Sequence, residues 1–315
     1  MASTSISIII PTHNRREILE RTLHDIDKFR IPDGMECEVI VVANACTDDT
    51  ASAVERLAST ALIPLACIED PVVGADHARN TGLRHAKGEY LLFFDDDVRL
   101  DPLLLEAMME AFATTHADLV GARVSLLWEV VDRPSWLPDD LLWVLSNAEL
   151  GDEIQESVDG RGIIGACFAF HRRVSDAVGT FGLGIDRMGT GLLGGGESEF
   201  IERAIRKGFR AFHVPAMKVQ HWVAPNRIRN EYILGICRGC GEARVYMKPS
   251  FTLYAAVRAI LGSVWLMLYH GIASFLTADA TKAIRHKSRA AIGQGTCRGA
   301  IIRLAGKSPL VYHNR

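Results

Sequence analysis

The sequence predicts an α/β fold, a mostly parallel β-sheet flanked by helices, followed by a helical C-terminal appendage. Three observations lead there. Short, continuously apolar runs rich in β-branched residues alternate with stretches whose apolar residues recur at helical spacing. Each run ends in a polar cluster, as expected of strands buried on both faces whose following loops gather at one edge of a sheet. The alternation then gives way to a long uncharged stretch and a basic one.

Taken in order, Ile6-Ser7-Ile8-Ile9-Ile10 is a strand closed by Pro11. Asn14 with Glu17 three residues on has the form of a capping box, and Ile18, Leu19, Leu23, Ile26 and Phe29 give the first helix its apolar face. Val39-Ile40-Val41-Val42 is the second strand, ending in the polar residues 44–49, with a helix through Val54 and Leu57. Residues 65–68 form a third strand and residues 75–86 a helix closed by Gly88. Tyr90-Leu91-Leu92-Phe93-Phe94 is a fourth strand that runs straight into Asp95-Asp96-Asp97. The clusters at 11–15, 44–49 and 95–97 therefore converge on one crevice. Beyond Val124 the pattern degrades into a Pro/Trp-rich segment, 133–138, and an acidic one, 149–159. Residues 165–170 read as a strand, Gly194-Gly195-Gly196 opens a helix with Phe200, Ile201, Ala204 and Ile205 on its apolar side, and residues 210–214 return as a strand before Pro215.

The 315 residues suffice for one large domain with an appendage, or for two domains, and a composition of 48% hydrophobic and 23% charged residues excludes global disorder. The seven cysteines are odd in number and scattered, unlike a secreted disulfide framework, and the Cys237-x-x-Cys240 pair has no second pair at zinc spacing. The first residues lack the basic and apolar regions of a signal peptide, so a cytoplasmic location is expected. Residues 259–278 contain no Asp, Glu, Lys or Arg, and include Trp265, Tyr269 and Phe275. This length just suffices for a span, but Ser263, His270 and Ser274 favour helices lying in a membrane interface over a span or a buried core helix. Residues 280–315 then carry eight Lys or Arg and no acid, which suits anionic headgroups better than nucleic acid given the apolar neighbour.

Three adjacent aspartates after a buried strand repel one another unless a cation holds them. Mg²⁺ or Mn²⁺ is the natural partner, taking carboxylate and diphosphate oxygens, which ties the cluster to a nucleotide ligand. At this point the chain resembles the family 2 glycosyltransferases of the GT-A fold. The residues that carry the resemblance are 8–15 (IIIPTHNR), 41–50 (VVANACTDDT), 78–82 (ARNTG) and 88–97 (GEYLLFFDDD), in the family's order, and it is clear as far as Val223.

The resemblance implies a nucleotide-diphospho-sugar donor, held by Pro11, Thr12, Asn14, Arg15, Asn44, Arg79, Asn80, Asp95 and Asp96. It also implies a metal held by Asp95 and Asp97, with His221 as a further ligand. Gly195-Gly196-Glu197-Ser198-Glu199-Phe200 is similar to the family's Gly-Glu-Asp-x-Glu-Leu/Phe element, which makes Glu197 the general base, or Glu199 if the register slips by one motif position. A carboxylate in the first helical turn is favoured by the macrodipole. Ala43 stands where the family often has an Asp, which leaves the nucleotide's identity open. The implied reaction is a single displacement with inversion, the acceptor being a glycan or lipid-linked glycan selected by residues 126–160. The expected division is a glycosyltransferase domain at 1–228, made of a nucleotide-sugar half (1–124) and an acceptor and base half (125–228), then a helical region at 229–315 on the inner face of the cell membrane. The alternatives are a nucleotidyltransferase of similar fold, against which the glycine-free loop 11–16 argues, and an inactive GT-A-like binding protein at the membrane surface.

Overall fold

The apolar runs form strands and the stretches of helical spacing form helices in a computed structural model of the chain, which describes residues 4–185 and 191–312. The first half runs β1 (Thr4–Thr12), α1 (Arg16–Ile26), β2 (Met35–Asn44), α2 (Thr50–Ala58), β3 (Leu65–Asp70), α3 (Ala75–His85) and β4 (Tyr90–Phe94). β1 pairs in parallel with β2 and β4, and β2 with β3. Their continuous apolar character follows from burial on both faces. Ile8 and Ile10 pack with Leu19, Leu23 and Ile26 of α1, whereas Ile9 points the other way, to Ala78 and Leu83 of α3. Gly82 lets α3 lie close on β1, since a Cβ there would sit 2.3 Å from Ile9 Cγ2.

The second half runs β5 (Val98–Leu100), α4 (Leu104–Thr115), β6 (Leu119–Leu127), β7 (Gln155–Glu156), β8 (Cys167–His171), α5 (Arg172–Val178), α6 (Gly196–Arg206) and β9 (Ala211–Trp222). Among the described residues the strands make one nine-stranded sheet, ordered β3-β2-β1-β4-β8-β6-β9-β5, with β7 paired to β9. β3-β2-β1-β4 run parallel, and so do β6 and β9. β8 enters antiparallel between β4 and β6, so the sheet as a whole is mixed.

Two local expectations are corrected. β9 does not stop at Pro215 but runs on to Trp222, because a bulge takes the proline out of the ladder. Ala122 pairs with Val214 and the next residue, Arg123, with Lys218, so the missing N–H of Pro215 falls where none is needed. The capping box is also absent. The cap of α1 is Arg15, with no side-chain cap bond. Asn14 sits at φ 52°, and its Oδ1 instead accepts from the backbone N–H of Thr47 at 2.7 Å, joining the loops after β1 and β2.

The C-terminal helices are α7 (Asn230–Tyr246), α8 (Leu253–Leu276) and α9 (Ala280–Leu304). α7 packs Ile233, Ile236 and Cys237 against Leu137, Leu141 and Val144. Glycines let α7 and α9 touch backbone to backbone: a Cβ on Gly295 would lie 1.9 Å from the Arg238 carbonyl oxygen. α8 rests on α9 and is long and apolar enough to cross a membrane, with only 11% of its most apolar window buried. Leu261, Trp265, Leu268, Ile272 and Phe275 are exposed, which removes the reading of this segment as a buried core helix. All seven cysteines are free thiols, Cys237 and Cys240 included.

Candidate active site

The loops after β1, β2 and β4 meet at the carboxyl edge of the parallel strands. There Pro11, Thr12, Arg15, Asn44, Arg79 and Asp95 line a cavity of about 230 Å³. Asn44 is fixed by its own amide, which donates to the Val72 carbonyl at 2.7 Å and accepts from Gly74 N–H at 2.9 Å. Asp96, also on the cavity wall, accepts from Thr12 Oγ1 at 2.7 Å and from Arg15 Nη1 at 2.9 Å. Burial pushes the Asp96 carboxyl up against the opposing charge of Arg15.

Asp97 is 1% exposed and accepts on Oδ2 from Arg15 and from Arg227, each at 2.8 Å. Burial acts to raise its carboxyl, but the His221 ring, Arg227 and Arg15 outweigh burial and hold it well below the usual carboxylate range. His221 Nε2 lies 3.2 Å from Asp97 Oδ1, and Arg227 Nη1 approaches the same nitrogen at 3.0 Å. Asp97 Oδ1 and His221 Nδ1 are buried without a hydrogen-bond partner among the described residues. One oxygen from each of Asp95 and Asp97 and a nitrogen of His221 lie within 4.8 Å of one another. A hard or borderline divalent cation fits such a donor set, and an orphaned ionised oxygen is what it would satisfy.

Arg79 links this cavity to a second one. Its guanidinium is 6% exposed, with Nη1 2.8 Å from Asp76 Oδ1 and 3.6 Å from Glu197 Oε2, and Nη2 3.8 Å from Asp95 Oδ1. Burial works against its charge, yet the three carboxylates raise its pKa above the ordinary arginine value. Arg79, Asp95 and Glu197 line a cavity of about 280 Å³ whose far wall holds Trp143, Ser198 and Ile236. Trp143 and Ser198 in turn border an opening of about 610 Å³ with Asn147, Glu149 and Asp159 on its rim. The crevice is thus continuous from the β1 loop, past Arg79, to the irregular segment before β8.

The two glutamates of α6 are separated by their surroundings. Glu197, in the first turn, opens onto the crevice with 24% of its side chain exposed. Glu199 is 0% exposed and points away, receiving Arg203 Nε at 2.9 Å and Tyr312 Oη at 2.8 Å. Four expected site residues, Asn14, Asn80 and the buried Asp97 and His221, also stay off the cavity walls. Asn14 holds the neighbouring loop, and Asn80 exchanges hydrogen bonds with the backbone of Phe181. Sequence reasoning missed Arg227, which lines the first cavity and is 7% exposed. Its partner Asp97 is 130 residues away, and only the arginine's place just after the β9 strand hinted at a site.

Comparison with known proteins adds the family. The sequence pattern of glycosyl transferase family 2 matches residues 7–179, more than half of the chain. Glycosyltransferase AglE of Haloferax volcanii is 34% identical over 124 residues, 39% of this chain and 40% of that one. The GalNAc(5)-diNAcBac-PP-undecaprenol β-1,3-glucosyltransferase of Campylobacter jejuni is 31% identical over 117 residues, 37% of each chain. The chain thus spans about two fifths of the length of these curated relatives. The fold is also that of the mannosyltransferase PcManGT from Pyrobaculum calidifontis, solved in complex with GDP-Man and Mn²⁺, at a TM-score of 0.59 and 22% identity over 92% of this chain and 86% of that one. With the matched segment carrying β1 to α5 and the loops after β1, β2 and β4 that meet at the crevice, the chain belongs to glycosyl transferase family 2.

Proposed function

We propose that the chain transfers a glycosyl group from a nucleotide-diphospho-sugar to an acceptor hydroxyl, with metal assistance and inversion at the anomeric carbon. The observation that carries this reading is Arg79, which touches both the aspartate at the donor cavity and the glutamate at the opening beyond it. In this reading Thr12, Arg15, Asn44 and Asp96 hold the nucleoside, and Pro11 shapes the wall behind it. Arg79 and Arg227 present positive charge to the leaving diphosphate, with no reorganisation needed as charge develops there. Asp95, Asp97 and His221 would hold Mn²⁺ or Mg²⁺, which supplies further charge to the diphosphate. Glu197 accepts the acceptor's proton as the new C1–O bond forms and the C1–O bond to the diphosphate breaks on the opposite face. The acceptor reaches Glu197 through the wide opening, with Trp143 offering an aromatic face to a sugar ring.

A glycan or lipid-linked acceptor is supported by the Campylobacter relative, whose name specifies an undecaprenol-diphosphate-linked saccharide. The exposed apolar side of α8 and the basic α9 support a place on the cytoplasmic face of a membrane. The test is release of nucleoside diphosphate by the purified chain from a panel of sugar nucleotides, with Mn²⁺ or Mg²⁺ and no acceptor. Slow hydrolysis of one donor, dependent on metal, is expected. Absence of hydrolysis and of binding across UDP-, GDP-, dTDP- and ADP-sugars would contradict the reading.

A further inference from the structure

A cavity of about 710 Å³ lies outside the crevice, walled by α6, the end of α7, the last turn of α9 and the C-terminal tail. Arg203, Arg206, Lys248 and Arg303 line it together with Ser308 and Tyr312, and among the described residues no Asp or Glu lines it. Arg203 is balanced by Glu199 and Arg206 by Glu202, both one helical turn back on α6. Lys248 and Arg303 have no carboxylate partner among the described residues. Arg303 is held instead by two carbonyl oxygens, of Val245 at 2.9 Å and Lys248 at 2.6 Å, and lies over the ring of Phe251. Its guanidinium is thereby fixed in place while its charge remains uncompensated.

We propose that this cavity binds the phosphate group of an anionic ligand. Two uncompensated cations flanked by two arginines match an acid with several oxygens and more than one negative charge, whereas a lone carboxylate needs a single arginine fork. The position adds to the case. Only three residues separate Pro249, on the cavity wall, from Leu253, where the exposed apolar α8 begins. A lipid phosphate could enter the cavity while its chains lie along α8, and a soluble phosphate would use the same cations. The cavity also shares α6 with the crevice. Arg203 and Tyr312, which line it, are the residues that hold Glu199, two positions from Glu197. Occupancy would therefore be felt at the base-bearing helix.

The test uses the full chain and two arms. Inorganic phosphate is titrated into the wild type, into Lys248→Gln and into Lys287→Gln while the melting temperature is followed; any binding in the crevice is common to all three and cancels in the comparison. All three proteins, with Lys287→Gln as an exposed α9 control, are then sedimented with phosphatidylcholine vesicles with and without phosphatidylglycerol. The expected result is a saturable phosphate effect weakened at least about threefold by Lys248→Gln. A loss of about tenfold in binding to phosphatidylglycerol vesicles for Lys248→Gln, against about fivefold or less for Lys287→Gln, assigns the site to a lipid headgroup. Equal vesicle binding by the two variants, with the phosphate effect still weakened in Lys248→Gln alone, assigns it to a soluble phosphate. Indistinguishable behaviour of the two variants in both arms overturns the proposal. Donor hydrolysis by Lys248→Gln should match the wild type, so failure of this site and failure of the transferase reading are told apart.

Discussion

Replacing Arg79 by Met tests the electrostatic centre of the site. Methionine keeps most of the stem's volume, so the packing change is small and the main loss is the charge. Asp76 is 0% exposed and has Arg79 Nη1 at 2.8 Å. Taking the cation away from a buried carboxylate costs about 3–5 kcal/mol. Asp76 makes a further interaction, and Glu197 and Asp95 are partly open to water, so the lower end, about 3 kcal/mol, is expected. At about 2 °C per kcal/mol for a chain of this size, the melting temperature should fall by roughly 6 °C. The double variant Asp76→Asn/Arg79→Met removes both charges and should recover more than half of that loss, giving a coupling of about 2 kcal/mol in the cycle. Circular dichroism melts of the four proteins measure it. A single variant that melts within about 1 °C of the wild type, or a double variant no better than the single one, would refute the claim that these charges are held by one another.

Three further outcomes follow from the same geometry. Glu197→Gln should lower turnover by about 10²–10⁴ with donor affinity nearly unchanged, while Glu199→Gln should chiefly lower the melting temperature; turnover lost only in the second variant would reverse the assignment. Gly196→Ala places a Cβ 1.5 Å from Asp76 Oδ2, so α6 must shift, and a fall of at least about tenfold in turnover together with a lower melting temperature is expected; wild-type turnover would contradict the close approach. Burial works to raise the Asp25 carboxyl, but hydrogen bonds from Arg99 and Lys28 hold it below its ordinary value. Its stabilising contribution is therefore present above the unfolded pKa of about 3.9 and is lost as pH falls through the lower folded value. The difference in melting temperature between wild type and Asp25→Asn should be largest near neutral pH and shrink below about pH 4, and a difference independent of pH would show that the carboxylate's charge is not what stabilises.

The parallel half of the sheet was legible because burial on both faces leaves no polar position in runs such as Ile8-Ile9-Ile10 or Leu91-Leu92-Phe93-Phe94, and because the polar residues come immediately after them. A proline reads as a strand end unless a bulge in the pairing with β6 is known, so the sequence alone ends β9 at Pro215. Asn14 reads as a helix cap because the pattern with Glu17 is local, whereas the bond it makes is to Thr47, across two loops. The same limit hid Arg227, whose meaning depends on Asp97, 130 residues away in the turn between β4 and β5. Glu197 and Glu199 lie two residues apart on one helix, and which of them faced the crevice was decided by Arg203 and Tyr312, which draw Glu199 to the other side. Ala43, where a family-like acid is missing, is 2% exposed on β2, beside the buried Asn44.

Isothermal calorimetry of the wild type with sugar nucleotides, once with Mn²⁺ and once with a chelator, bears most directly on the reading of the crevice as a donor site completed by a cation. At least one nucleotide-diphospho-sugar should bind about tenfold or more tightly with the metal, and Asp97→Asn should abolish that difference. Equal affinity with and without metal for every donor, or a metal effect that survives Asp97→Asn, would contradict the account.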